Sequence, residues 1–310
     1  MEDLDRLKKP MQTPHPIPYQ GSKRKLAPEI LRWMPNGVGT LFEPFAGSAA
    51  VSLAAAQAGI AARYQLSDCL APLMELWSKI ISDPEGLADA YGSIWEGQMV
   101  DPRGFYDEIR AAYNRDPEPA RLLFLLARCV KNAVRFNREG LFNQSPDKRR
   151  LGTRPPRMAQ SILGAHALLK GRTTVSSGDY WATTKRATPD DLVYMDPPYQ
   201  GTSGSKDQRY FEQLDLGRFV NFLEELLARR VPFIISFDGR TGKKKYGEDL
   251  PEHLGLKRVE LEAGRSSQAT LNGRSERTVE SLYLSPTLRR RGECRGVPPT
   301  PVRDGGATVF

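Results

Sequence analysis

The stretch DLVYMDPPYQ, residues 191–200, sets an acid, two prolines and an aromatic ring directly after an apolar run. Leu192 to Met195 read as a buried strand of the kind found inside parallel sheets. In open α/β sheets the carboxyl ends of strands face the ligand crevice, so Asp196 is expected to project into one. Pro197 and Pro198 lock φ and force an extended turn, which fixes the Asp196 carboxylate, the Pro197 carbonyl and the Tyr199 ring relative to one another. Two fixed acceptors and a flat ring suit a planar group bearing an NH2. An amine conjugated to a purine is a poor nucleophile, and hydrogen bonds to such acceptors draw it toward tetrahedral geometry and free its lone pair. On these four residues alone, a plain proline turn with Asp196 as a cap is the competing account.

A second constellation lies at residues 42–54, FEPFAGSAAVSLA. The small residues Ala46, Gly47, Ser48 and Ala49 let backbone approach a ligand, and the following helix offers free amides at its N-terminus. Asp68 closes the next strand 21 residues after Gly47, a spacing that suits a carboxylate gripping ribose hydroxyls. Tight helix–sheet packing and an ordinary helix cap explain the same residues equally simply. With Gly47 the one glycine in this turn, neither a G-x-G-x-x-G fingerprint nor a P-loop is present.

The elements that must carry these residues form two blocks. Strands are expected at 40–45, 62–68, 173–179, 191–196 and 232–238, with a closing pair in LKRVELEA and TVESLYLS. Helices are expected after Gly47, over LAPLMELWSKIIS, and near 215–230. The strand–helix alternation stops between about 84 and 150, where FYDEIRAAYN and PARLLFLLARCVKNAV read as amphipathic helices. The expected partition is thus a tail at 1–16, a cofactor-binding part at 17–83, a helical basic insertion at 84–155, a second catalytic part at 156–286 and a loose tail at 287–310.

Charge points the same way. The chain carries 45 Lys plus Arg against 37 Asp plus Glu. The window 121–160 holds ten bases against Glu139 and Asp147, so it accounts for the whole net charge of +8. A concentrated patch with Phe136 and Phe142 inside it suits a phosphate backbone, although a solubilising surface has the same charge signature. The longest strongly apolar run, LLFLLA, is too short to span a bilayer, and the first ten residues lack the apolar core of a secretory signal. Cys69, Cys129 and Cys294 form no pairing or metal-ligand pattern, so a reducing cytoplasmic setting is expected.

Five segments in order resemble the Dam-type, D12 class of adenine-specific DNA N6-methyltransferases. They are PYQGSKRKL (18–26), FEPFAGSAAV, LSDCLAPLMELWSKI, NAVRFNREGLFN (132–143) and DLVYMDPPY, with a weaker likeness in RSSQATLNGRSERTVESLYL. The resemblance implies an α/β fold, Rossmann-like and S-adenosylmethionine-dependent, with a mixed seven-stranded sheet and an inserted helical target-recognition domain. It implies S-adenosyl-L-methionine held by Tyr19, Lys23, Phe45, Ala46, Gly47, Ser48, Asp68, Asp179 and Asp196. Asp196, Pro197, Pro198 and Tyr199 become the catalytic motif. Double-stranded DNA becomes the partner, with phosphates gripped by Arg135, Arg138, Lys148, Arg149 and Arg150. Base edges fall to Asn132, Arg135, Asn137 or Asn143, since Arg suits guanine and Asn suits adenine. The chemistry requires no metal, and a cognate restriction endonuclease is a candidate partner of a bacterial, archaeal or phage enzyme.

Three departures stand out. Ala49 replaces the second glycine of the family's F-x-G-x-G, where its methyl is expected to crowd the cofactor; Ser22 replaces a usual glycine; and the recognition signature is one residue shorter before Arg135. Asp179 also reads as a structural turn, and Arg265, Ser266 and Ser267 as a phosphate clamp or a solvated hairpin. Cytosine N4 methylation and a catalytically inactive DNA-binding protein on the same fold are the rival functions.

Overall fold

The computed structural model describes residues 12–198, 214–241, 244–246, 249–265 and 277–288. Tyr199, Ser266, Ser267, Cys294, residues 1–11 and residues 289–310 lie outside the described residues, as does the Arg265 side chain.

The sheet strands are β1 (Val38–Glu43), β2 (Ala61–Asp68), β3 (Thr173–Ser177), β4 (Leu192–Met195), β5 (Phe233–Thr241), β6 (Lys244–Tyr246), β7 (Lys257–Arg265) and β8 (Arg277–Leu284). Seven follow the order β3-β2-β1-β4-β5-β8-β7, and the short β6 pairs with β5 off this path. The first five run parallel. β8 is antiparallel to both β5 and β7, which makes the sheet mixed. The fold is therefore the α/β, Rossmann-like one. The winding reverses between β1 and β4, and such a switch point opens a crevice at the strands' carboxyl ends.

Alternate residues of the central strands feed two cores, as a strand's two-residue period requires. Leu41, Leu192, Tyr194 and Ile234 join the larger core. Phe42, Val193, Met195, Phe233 and Ile235 face the other, which Phe219, Phe222, Leu223 and Leu226 complete. Those four come from α9 (Leu216–Ala228), whose apolar residues fall at helical spacing. The short α8 (Tyr180–Thr183) joins that layer through Tyr180. On the opposite face lie α1 (Ala27–Leu31), α2 (Ala50–Gln57), α3 (Ala71–Ser82) and α7 (Pro155–Leu169).

The interrupting region contains α4 (Pro84–Gly97), α5 (Pro102–Arg115) and α6 (Pro119–Arg128). Their buried side chains belong to the same core as β1 and α3, so this region extends the packing on that face of the sheet. Asp83 and Asp101 cap α4 and α5 by accepting backbone amides at their first turns. The long stretch expected as one helix through Val134 ends at Arg128. Cys129 is extended, and Lys131 and Asn132 take positive φ of 60° and 53°. The Asn132 side chain then donates to the Leu126 carbonyl at 2.8 Å, satisfying a helix-end acceptor. Beyond it, Phe136 pairs with Phe142 across a short hairpin, and Asn137 Oδ1 accepts the amides of Glu139 and Leu141 to form its turn.

Of the stretch expected as an N-terminal tail, the described residues 12–16 pack against the fold. Pro14 lies over α7 so closely that a Cβ on Gly164 would sit 3.1 Å from its ring, and Pro16 and Ile17 are buried. Proline-rich segments lose little chain entropy on docking, which composition alone conceals.

Candidate active site

One cavity of about 260 Å³ opens at the switch point between β1 and β4. Its walls come from the Tyr19–Lys23 segment, the turn after β1, the end of β2, the Gly178–Tyr180 turn, the end of β4 and the start of α9. Val134 and Phe136 of the interrupting region close one side. Every expected cofactor residue among the described ones lines this space, and Pro197 and Pro198 do so as well.

The turn after β1 is fixed by backbone contacts. Gly47 adopts φ +47°, and a Cβ there would lie 3.2 Å from the Tyr19 ring. Its amide donates to Asp68 Oδ2 at 3.1 Å, and its carbonyl accepts the Trp77 indole N–H at 2.9 Å. The other Asp68 oxygen accepts the Leu70 amide at 3.1 Å. Asp68 thus locks two motifs together while facing the cavity; burial raises its pKa and these two amides oppose that rise. Ser48 donates to Ser22 at 2.8 Å, so the serine that departs from the family pattern ties the N-terminal segment to the turn.

Ala49 behaves otherwise than its position suggested. It is fully buried in the core with φ 45° and ψ 36°, and it does not line the cavity. Replacing glycine here leaves the ligand space open and places an alanine in left-handed backbone, at a cost of roughly 1 kcal/mol.

Asp196 sits on the cavity floor with 20% of its side chain accessible, and its Oδ1 accepts the Lys23 ammonium at 2.8 Å. Lys23 is only 5% exposed and lies 3.4 Å from Glu280 Oε2 on β8. Burial raises the Asp196 pKa to about 6; Lys23 opposes the rise and Glu280 adds to it. The carboxylate is therefore ionised at neutral pH and lost in mild acid. Glu43, at the end of the neighbouring strand β1, is buried and accepts the Ser52 amide at 3.0 Å. Burial pushes its pKa up to about 8, so it stays a neutral acid at pH 7.

At the far wall, Phe45 stacks on Tyr180 with centroids 5.2 Å apart. Asp179 caps α8 by accepting the Trp181 amide and also lines the cavity. It holds Arg218 in a two-point pair at 2.8 and 2.9 Å, and that guanidinium lies over the Tyr180 ring. Among the described residues, five carboxyl groups line the cavity, from Glu43, Asp68, Asp179, Asp196 and Asp215; with Glu43 neutral, four stand against the cations Lys23 and Arg218. That balance suits a ligand bearing positive charge.

The expected DNA contacts divide. Arg138, Asn143, Lys148, Arg149 and Arg150 are exposed and Arg135 is half-buried. Arg150 donates through Nε and Nη2 to Asp147 Oδ2, while Asn132 and Asn137 use side-chain atoms to build local turns. Arg128, counted in the basic window, is buried and donates to Gln98 and to the carbonyls of Asp147 and Pro102. Arg121 pairs with Asp116 and Glu118. The outward charge of the window is smaller than its composition implies.

Among the groups not expected from sequence, Glu43 and Arg218 line the cavity and Glu280 reaches it only through Lys23. Glu43 had a signal, an acid ending an otherwise apolar strand. Glu280 had a subtler one, sharing a strand face with the buried Leu282 and Leu284. Nothing local marks Arg218.

Residues 19–266 match the model of the D12 class N6 adenine-specific DNA methyltransferases. The chain belongs to this family. Adenine-specific DNA methylation is the family's activity, and a donor of the S-adenosylmethionine type goes with it. The chain is similar to the retron Ec67 DNA adenine methylase of Escherichia coli, 25% identical over 262 residues that cover 82% of this chain and 88% of the relative. It is 27% identical over 237 residues to the DNA N-6-adenine-methyltransferase of Escherichia phage P1, covering 71% of this chain and 29% of that protein. Against the type II methyltransferase M.FokI of Planomicrobium okeanokoites, identity is 23% over 235 residues, 71% of this chain and 35% of the relative. Among the described residues no helix is long and apolar enough to cross a membrane, and no group of three His, Cys, Asp or Glu could hold a metal ion.

Proposed function

We propose that this D12 enzyme methylates the N6 amine of an adenine flipped out of duplex DNA, with S-adenosyl-L-methionine as donor and Asp196 as the acceptor that orients the amine. The observation that carries this reading is the Asp196 carboxylate on the floor of a switch-point cavity, held by Lys23 at 2.8 Å and followed by Pro197 and Pro198.

When bound, the cofactor supplies a methyl group already activated on a sulfonium. The remaining work falls to the chain. Asp68, Gly47 and the Phe45–Tyr180 stack offer acceptors, a close backbone approach and an aromatic wall to a nucleoside. The excess of carboxylates favours a cationic donor. The cavity must also take a base out of the DNA stack, at an unstacking cost of a few kcal/mol. Phe136 and Val134 bring the interrupting region to the cavity wall, where bound duplex and extruded base would meet. Asp196 and the Pro197 carbonyl would hold the amine for in-line transfer, and Tyr199 would stack on the base. Arg135, Arg138, Lys148 and Arg149 are assigned to phosphates, and Arg135 and Asn143 are the better placed base readers, since Asn132 and Asn137 are engaged within the chain. We assign residues 84–155 to target recognition and the parts before and after to catalysis. The likeness to type II methyltransferases makes a partner endonuclease part of this proposal.

The test is nucleoside mass analysis of DNA incubated with the protein and isotope-labelled S-adenosyl-L-methionine. N6-methyladenine is expected. N4-methylcytosine, or no label with DNA still retained, would replace this reading with one of its rivals.

A further inference from the structure

We infer that Glu280 is a positioning residue for methyl transfer: it takes a share of the Lys23 ammonium, so that Asp196 remains a strong hydrogen-bond acceptor for the adenine amine. The inference rests on the role given to Asp196 above.

The geometry begins with a register anomaly. On β8, Leu282 and Leu284 are buried in the larger core, and the same face two residues earlier carries Glu280, not a third apolar side chain. Glu280 is 18% exposed, and its Oε2 lies 3.4 Å from Lys23 Nζ. The same oxygen accepts the Ser236 hydroxyl of neighbouring β5 at 3.3 Å, which fixes the carboxylate from the far side. An acid is thus installed on a rigid strand, pointing at a nearly buried lysine that already holds Asp196.

A lone Lys23–Asp196 pair would be self-satisfied. The ammonium would concentrate on one carboxylate, draw charge from it and weaken it as an acceptor for any other N–H. A second carboxylate changes the balance. With Glu280 present the three groups carry one net negative charge, and Lys23 can lean toward Glu280 as the amine arrives at Asp196. Among the described residues, the groups that face Asp196 are Lys23 from the N-terminal segment, Glu280 from β8 and Glu43 from β1. Glu43 is a neutral acid near pH 7, so of these three groups Glu280 is the carboxylate that offsets Lys23 beside Asp196.

Glu280→Gln keeps the shape and removes the charge. The inference is tested by single-turnover transfer to unmethylated chromosomal DNA across pH 5 to 9 for the wild type, Glu280→Gln, Glu280→Asp and Asp196→Ala. Glu280→Gln is expected to lower the plateau rate by about ten-fold. Its acid limb should move to lower pH by about one pH unit, because removing a like charge stabilises ionised Asp196. Glu280→Asp should recover part of the rate, and DNA affinity should stay unchanged in both. A merely structural role would lower the melting temperature and leave the acid limb where it is, and that result would overturn the inference. So would a wild-type rate and profile in Glu280→Gln while Asp196→Ala is dead. Transfer by Asp196→Ala would instead remove the underlying reading, so the two failures are distinguishable.

Discussion

The two sides of the cavity are built from different materials. The β1–β2 side is held by backbone: Gly47 gives its amide to Asp68 and its carbonyl to Trp77, and its missing Cβ leaves room for Tyr19. The hairpin side, around Arg135 to Asn143, presents long side chains to solvent from a turn that Asn137 shapes. Under the proposed function, a small cofactor of constant shape would meet rigid, short-range contacts, and a polyanion of variable sequence would meet adjustable charges. Changes on the first side should therefore act sharply and at all salt concentrations. Those on the second should act gradually and depend on salt.

The largest effect on the rigid side is expected from Asp68→Ala. It removes the acceptor of two backbone amides and the carboxylate assigned to the ribose, and buried hydrogen bonds to a charged group are worth about 1.5–3 kcal/mol each. Cofactor affinity, read by calorimetry, should fall by at least ~100-fold with some loss of thermal stability. Affinity within about two-fold of the wild type would refute the role given to this carboxylate. Gly47→Ala comes next: its methyl would press on Tyr19 in a left-handed backbone, and affinity for the cofactor should drop by about ten-fold.

These sites show what could be read without a structure. The strand–turn–helix at Gly47, the strand-end acids Asp68 and Asp196 and the basic interruption are local patterns, and local patterns survive in a sequence. What was hidden depends on direction or on distant partners. Ala49 is sited where a methyl should crowd the ligand, yet its φ of 45° turns it into the core. Arg128 counts as a surface charge until Gln98 and two carbonyls surround it. Asn132 has a base reader's chemistry, but its amide is spent on the end of α6. Glu280 meets Lys23 only because β8 inserts beside β5, a pairing between residues far apart in the chain.

On the adjustable side, Arg138→Ala with Arg149→Ala should weaken binding to all sequences alike. If each arginine neutralises one phosphate, the slope of log affinity against log salt should become shallower by about two. A slope equal to the wild type's would take the hairpin and its neighbouring loop out of the phosphate contacts. The smallest effect contrasts backbone with ligand space. Ala49→Gly relieves a left-handed alanine and should raise unfolding free energy by up to about 1 kcal/mol in urea titration, with cofactor affinity unchanged. A marked gain in affinity would show instead that the methyl reaches the cofactor.

The most direct test of the central claim places Asp196→Ala beside the Arg138, Arg149 double variant, with methyl transfer and DNA retention measured on the same samples at low and high salt. The account predicts no N6-methyladenine from Asp196→Ala at either salt with DNA retention near the wild type, and salt-dependent loss of both signals from the double variant. Normal transfer by Asp196→Ala would contradict it.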